Sequence, residues 1–414
     1  MKIMKHTNIC SLRFGNLMLA AMMIAFVSSC NKSLPQPQPI NYTTANPGAT
    51  QTIGQGITSD TSFSFYLAAA TKSGMISLLS NPNSVITVFA PDNNAFRNSG
   101  IPSLAVVNSL PVATLGGIVQ YSIVPGIQYS KSGINSAFPN MQLPTSLNIG
   151  TLPGTPVKLE MTTFPSTVNG FWINNIPVVS PDIAYINGVL HKTAAIVAPP
   201  TKVLKDAIYS DPNLSYFKAA IARGDSGQTG LNSFDFLLGY AVTNMTVLVP
   251  NNAAFQQLIT GSVFAYLSGL GLDSTTAMTQ AINIASSPAV FSNPDLFSVL
   301  TASTVRGILA YHLLASNSSG AYQPSIRVFS NNFALTPTFY PTMVNSSVII
   351  HPGILVSSAM VSPSFPFFKV TFTGMGTFPP GGQPYSGAPA NAVSMNNTAV
   401  NGVYYVIDKV LLPQ

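Results

Sequence analysis

Thr87-Val88-Phe89-Ala90-Pro91-Asp92-Asn93-Asn94-Ala95-Phe96 returns later in the chain as Thr246-Val247-Leu248-Val249-Pro250-Asn251-Asn252-Ala253-Ala254-Phe255. Each copy is followed by a second shared element, Ile118-Val119-Gln120-Tyr121-Ser122-Ile123-Val124 and Ile308-Leu309-Ala310-Tyr311-His312-Leu313-Leu314. A third closes each unit, Ile186-Asn187-Gly188-Val189-Leu190-His191 and Val400-Asn401-Gly402-Val403-Tyr404-Tyr405. Three motifs in one order, given twice, predict two homologous domains. Units this long are tandem domains and not solenoid repeats of about 20–50 residues.

Within each unit the β-branched run before Pro91 or Pro250 predicts a strand. The Asp/Asn residues after it predict a helix cap, because their side-chain oxygens accept from free first-turn amides. Phe63, Phe65-Tyr66-Leu67, Met75-Ile76 and Leu78-Leu79 recur at three- and four-residue steps, which predicts helix up to Asn81-Pro82-Asn83. Pro111 to Tyr121 reads as a further helix. Lys158 to Val179 alternates around Asn169-Gly170 and predicts a meander, and Asn187-Gly188 turns into the last strand. The second unit is longer in two places. Phe96 to Ile118 spans 22 positions against 53 for Phe255 to Ile308, and Tyr121 to Asn187 spans 66 against 90 for Tyr311 to Asn401. The surplus, about 261–294 and about 365–390, is expected to decorate a common core. The latter contains an apolar Gly/Pro loop with Phe378, and long loops of this kind tend to carry function.

The first residues are set apart from the fold. Lys2, Lys5 and Arg13 precede an uncharged apolar run, Leu17 to Val27, too short for the ~20 residues of a membrane span. The run ends in Val27-Ser28-Ser29-Cys30, which resembles a bacterial lipobox. Residues 1–29 are then a signal peptide and Cys30 the lipidated N-terminus, held by acyl chains at ~0.8 kcal/mol per buried CH₂. An ordinary cleaved signal with an incidental cysteine is the other reading. With Cys10 removed and Cys30 acylated, no thiol remains for a disulfide, a thiolate metal site or a nucleophile. Residues 30–55, with Leu34-Pro35-Gln36-Pro37-Gln38-Pro39, read as a disordered extended tether, 56–200 as the first domain and 201–414 as the second.

Charged residues make up only 7% of the chain, against ~25% in typical domains. The formal charge of +6 falls to +3 without the three leader cations, and the remaining Lys and Arg are dispersed. That disfavours nucleic acid, which needs a concentrated positive field. One glutamate (Glu160) and ten scattered aspartates exclude a paired-carboxylate motif, and His191, His312 and His351 show no metal-pair spacing. No phosphate loop, Gly-x-Ser-x-Gly or His-Glu-x-x-His is present, so neither cofactor nor metal nor catalysis is expected. Arg223-Gly224-Asp225 spells an integrin tripeptide, but Gly-Asp at a helix end is ordinary stop chemistry. Trp172, Tyr216, Phe217 and Tyr311 could stack on sugars, although aromatics at helical spacing are more often core. Trp172, beside Asn174 and Asn175, is the least determined of these.

The paired motifs resemble the fasciclin domain, a module of secreted and surface-anchored adhesion proteins. The likeness is carried by Pro91, Asn93 and Phe96 with Pro250, Asn252 and Phe255, by the Tyr-His helix end, and by Asn187-Gly188 and Asn401-Gly402. It implies an α+β fold of two fasciclin-like domains, each a pair of short β-sheets packed on a helical bundle, and adhesion without catalysis. It also makes Tyr311 and His312, with Tyr121, Trp172 and Phe378, the expected partner-binding positions. A buried imidazole bonding the closing strands is the alternative for His312. The first unit departs from the pattern with Ser122 for the histidine and Leu190-His191 in the last strand. The expected whole is a lipid-anchored envelope protein, placed in the outer membrane and facing periplasm or surface, that binds an extracellular protein or polysaccharide. The alternative is an accessory structural subunit of an envelope or nutrient-uptake complex.

Overall fold

The computed structural model describes residues 46, 48–152, 154–317, 322–345, 350–362, 368–376 and 389–413. Cys30, the signal, most of the tether and Phe378 lie outside them.

The first domain opens with helices Ile53–Ser59, Ser64–Lys72 and Ile76–Ser80. The predicted single helical stretch is thus broken, at Gly74 with φ 75°. Strand β1 (Ile86–Pro91) follows, then helices Asn93–Asn98, Leu104–Ser109 and Val112–Tyr121. The sheet region comprises β2 (Ile123–Pro125), β3 (Leu143–Thr151), β4 (Lys158–Thr163), β5 (Pro165–Ser166), β6 (Trp172–Ile173), β7 (Ile176–Tyr185) and β8 (Gly188–Thr193). The second domain repeats the order. Helices Leu204–Tyr209, Ser215–Gly224 and Phe234–Gly239 lead to β9 (Met245–Pro250) and helices Asn252–Gly269, Ser274–Ala285 and Ala302–Tyr311. Strands β10 (Thr338–Tyr340), β11 (Ile354–Met360), β12 (Phe368–Thr373), β13 (Ala390–Ala399) and β14 (Gly402–Ile407) complete it.

Strand register proves the repeat. β1 runs parallel to β8 with Ile86 opposite Gly188 and Pro91 opposite Thr193. β9 runs parallel to β14 with Met245 opposite Gly402 and Pro250 opposite Ile407. The crossing element also matches: Val88 faces Ile123, and Val247 faces Leu313. The expected two sheets per domain are hinged on one long strand. β7 pairs with β6 through Ile176 and Pro177 and then with β8 from Val178 onward. β13 likewise leaves β12 after Asn391 and joins β14 from Ala392. Each hinge strand bulges at a left-handed residue, Asp182 (φ 62°) and Asn396 (φ 58°).

The central strands are buried on both faces, which explains their unbroken apolar runs. Val88 and Ala90 pack toward the helices with Phe96, Leu115 and Val119, whereas Phe89 packs toward the sheets with Tyr121 and Ile173. Val247 and Val249 divide from Leu248 in the same way. Gly188 and Gly402 are required by the close parallel pairing. A Cβ on Gly188 would meet Ile86 O at 1.9 Å, and one on Gly402 would meet Met245 O at 2.4 Å.

Two expectations are corrected. The tether does not extend to residue 55: Thr52 caps the first helix in a reciprocal box with Gln55, Ile53 is buried, and the Asn46 amide donates to Tyr185 O and Gly188 O. The 261–294 segment is also no decoration. It prolongs one helix to Gly269 and adds another whose Ala277, Ala281 and Ala285 are buried in the domain core.

Candidate functional site

The paired motifs form two hydrogen-bonded hubs. Asn93 accepts from Phe65 N–H (3.0 Å) and donates to Thr61 O, and Asn252 accepts from Tyr216 N–H (3.1 Å) and donates to Pro212 O. Asp92 and Asn251 are the actual N-caps, accepting from Ala95 and Ala254 at 2.9 Å. Asn187 takes the Ile53 N–H and donates to Leu79 O and Asn81 O. Asn401 takes the Leu204 N–H and donates to Leu238 O and Tyr240 O. Both closing asparagines are fully buried. An amide is required because one side chain must accept and donate at once in an interior where an unmatched polar group is costly. Phe96 and Phe255 fill the neighbouring core against Phe65 and against Tyr216 and Phe217.

The expected partner-binding residues point inward. Tyr121 donates to Thr162 O (3.0 Å) and accepts from the Asn174 amide, while Tyr311 donates to Gly353 O (2.6 Å) and accepts from Met375 N–H. Burial raises both hydroxyl pKa values, that of Tyr311 to about 12. His312 donates from Nδ1 to Ile308 O (2.7 Å), and its Nε2 accepts from Leu411 N–H (3.0 Å). That pattern fixes the neutral tautomer, and burial pushes the imidazole down to about 4. It is the strand-closing imidazole given above as the alternative. As placed, Tyr121, Tyr311 and His312 offer a partner no surface, because all three are buried.

The departures of the first domain are matched substitutions. Ser122 accepts from or donates to the Tyr66 hydroxyl at 2.7 Å, and Tyr66 stands where the second domain has Phe217, which has no hydroxyl to offer. His191 donates from Nε2 to Tyr129 O (2.9 Å) and accepts Asp182 N–H at Nδ1. Burial lowers its pKa, against opposing contributions from the Tyr129 carbonyl and the Asp182 charge.

Arg223-Gly224-Asp225 is likewise committed to the fold. Asp225 accepts from Arg306 Nη1, Ser233 Oγ, Phe234 N–H and Asp235 N–H, and Arg223 Nε donates to Leu300 O. The carboxylate an integrin would need is already saturated.

The two domains meet through an interface not legible in the sequence. Asn169 donates to Asn331 O (2.9 Å) and Phe333 O (2.8 Å), and Asn140 donates to Asn332 Oδ1 (2.6 Å). Phe138 packs edge-on against Tyr340, and Trp172 against Phe368. Arg327 is buried over the Phe164 ring at 4.6 Å and donates to Val400 O. Burial brings its pKa down to about 10. Beside the junction lies a hollow of about 360 Å³ lined by Trp172, Asn175, Ser330, Asn331, Phe368 and Asn396. Trp172 Nε1 donates to Asn169 O, which fixes the ring at the hollow's edge. Among the described residues no three His, Cys, Asp or Glu side chains gather as metal ligands, and no helix is long and apolar enough to cross a membrane.

Residues 61–199 match the fasciclin-domain family, and the shared strand register repeats the first domain's architecture in the second. An uncharacterized protein of Synechocystis is 28% identical over 134 residues, covering 32% of this chain and 86% of its own length. A FAS1 domain pair from the insect cell adhesion molecule Fasciclin I aligns over 84% of this chain and 95% of its own, at 16% identity and a TM-score of 0.32. Fasciclin domains are generally adhesion and interaction domains.

Proposed function

We propose that this protein is a membrane-anchored interaction module of the cell envelope, tethered through Cys30 and working by non-catalytic contact with an extracellular protein or polysaccharide. The observation that carries this reading is the junction. Two domains locked by amide and aromatic contacts present the small hollow beside Trp172, which mixes apolar surface with amides and hydroxyls, while the Tyr and His side chains of the motifs are spent on backbone groups. Domain junctions are favoured places for recognition sites, and about 360 Å³ lies within the ~300–1,000 Å³ range of small-ligand pockets. The anchor places the module at an outer-membrane surface, with residues 31–45 as the spacer.

Residues 46–414 coupled to beads would test the binding reading. Adherence to cells, peptidoglycan or matrix preparations above that of uncoated beads supports it, and no adherence to any of them overturns it. The anchor is tested separately: a Cys30→Ser chain should move from the membrane fraction to the soluble fraction and lose palmitate label.

A further inference from the structure

A second hollow, of about 550 Å³, lies between helix Ser215–Gly224 and the segment 288–297 of the second domain. Its wall carries Lys218 and Arg223, its hydroxyls come from Ser215, Ser226 and Ser292, and Phe291 and Phe297 supply apolar surface. No carboxylate lines it. Among the described residues neither cation has a carboxylate within salt-bridge distance, whereas Lys192, Lys205 and Arg306 each have one.

The first domain shows what is unusual here. Ser64 and Ser215 both bond the motif asparagine, so Lys72 and Arg223 occupy the same place on their helices. Lys72 donates to Leu110 O (2.8 Å) and also to Asn108 O, which occupies its ammonium. Arg223 serves the equivalent carbonyl, Leu300 O, with Nε alone (2.8 Å). Its guanidinium carbon sits 3.5 Å from the Phe297 ring centroid. The group is therefore fixed in plane and direction, and among the described residues its two terminal nitrogens have no hydrogen-bond acceptor and remain for a ligand. A guanidinium held in that way is a fork for a carboxylate, which an ammonium is not. The position corresponding to Lys218 is Leu67, so the second cation is also peculiar to this domain. The segment carrying Phe291, Ser292 and Phe297 comes from the long connection that the first domain lacks.

We infer that this hollow binds the carboxylate of an acidic sugar in an anionic polysaccharide. Arg223 takes the carboxylate through its two terminal nitrogens, Lys218 adds charge, the serines meet ring hydroxyls, and the exposed part of Phe297 borders the apolar side of the ring. The hollow exceeds what one carboxylate side chain would fill, and its hydroxyls serve a polyol. This assignment rests on the contact reading above and names a ligand class for it at a separate place on the molecule.

The test is calorimetric titration of the full chain, solubilised in neutral detergent, with oligogalacturonate, its methyl ester and poly-glutamate. Oligogalacturonate should bind, and the methyl ester at least tenfold more weakly. Arg223→Lys, which reproduces Lys72, should weaken binding about tenfold, and Lys218→Leu, which reproduces Leu67, about fivefold, both with unchanged Trp172-monitored melting. Should a variant unfold, protection of Lys218 from acetylation by oligogalacturonate in the unaltered chain gives the same answer. Equal binding of the methyl ester, binding of poly-glutamate alone, indifference to both substitutions with no protection of Lys218, or no binding of any probe would each overturn the inference. Bead adherence that persists in those cases leaves the contact reading standing.

Discussion

His191 on β8 and Tyr405 on β14 do the same work with different chemistry. Each stands opposite the middle of its central strand, facing Phe89 and Leu248 respectively. His191 Nε2 donates to Tyr129 O and Tyr405 Oη to Val328 O, both at 2.9 Å. The two acceptors are equivalent, because Tyr129 N–H and Val328 N–H both donate to the matched threonines Thr87 and Thr246. The hinge-strand bulge completes the set: Lys131 N–H donates to Asp182, and Ser330 N–H to Asn396. What the two domains share is the demand for a buried donor at this point, and either ring meets it.

The swap should therefore be tolerated as long as the buried donor is kept. His191→Tyr combined with Asp182→Asn rebuilds the second domain's arrangement and should keep unfolding stability within about 1 kcal/mol. His191→Leu leaves Tyr129 O and Asp182 N–H without this partner and should cost about 2 kcal/mol. Urea titration of the three proteins decides it, and equal stability of the leucine variant would show that the donor is dispensable.

The closing asparagines should be among the most sensitive positions. Asn187→Ala or Asn401→Ala removes bonds that join a helix start to a helix end across the strand. Leaving those buried groups unmatched should cost about 3 kcal/mol or more in each domain. Asn→Asp should not rescue them, since it retains the acceptor but loses the donors and buries a charge. A loss under about 1 kcal/mol by chemical denaturation would refute the hub.

Much of this was legible because the repeated motifs sit at the centre of each domain, where sterics and hydrogen bonding admit few alternatives. Gly188 and Gly402 must lie against a neighbouring carbonyl, and Pro91 and Pro250 end strands that pair in one register. The first helix is hard to read because Ile53–Ser59 contains Gly54 and Gly56 and offers only Ile53 and Ile57, four apart, as an apolar face. Only Thr52 and Gln55, three apart, announce it. The helix 274–285 hides its contact face in Ala277, Ala281 and Ala285, spaced at four but too small to read as core. Burial of Tyr311 and His312 depends on one carbonyl 42 residues away at Gly353 and on an amide at Leu411, which local pattern does not reveal.

Trp172, the sole tryptophan, is placed to report the domain junction. Asn169→Ala removes both amide bonds to the second domain and should lower the fluorescence-detected melting midpoint more than it lowers the midpoint seen by far-UV circular dichroism. The reason is that the turn joining β5 and β6 loses its amide bonds to the second domain while the helical cores, built from other residues, remain. Coincident shifts in both signals would mean that the junction and the cores unfold as one unit.

His312 sets an acid limb of stability. Its folded pKa of about 4 lies below the ordinary 6.5, so the folded state resists the proton that the unfolded chain accepts. Above pH 6.5 the ring is neutral in both states and contributes no slope. As pH falls from 6.5 toward 4 stability is lost, and below about 4 both states are protonated and the loss levels off. The full effect is on the order of 3 kcal/mol. His191, also depressed by burial, acts in the same direction, so the comparison belongs in the His191→Tyr/Asp182→Asn background. There, His312→Phe should flatten the dependence between pH 6.5 and 4. Its stability at pH 7 should also be lower by about 1–3 kcal/mol, because Leu411 N–H loses its acceptor. The carboxylates with lowered pKa, Asp60 and Asp273, titrate below this window and leave it clean. An unchanged slope in the phenylalanine variant would mean that the folded imidazole takes up its proton as readily as the unfolded one, and the Leu411 N–H to Nε2 bond could not then hold the ring neutral below pH 6.5.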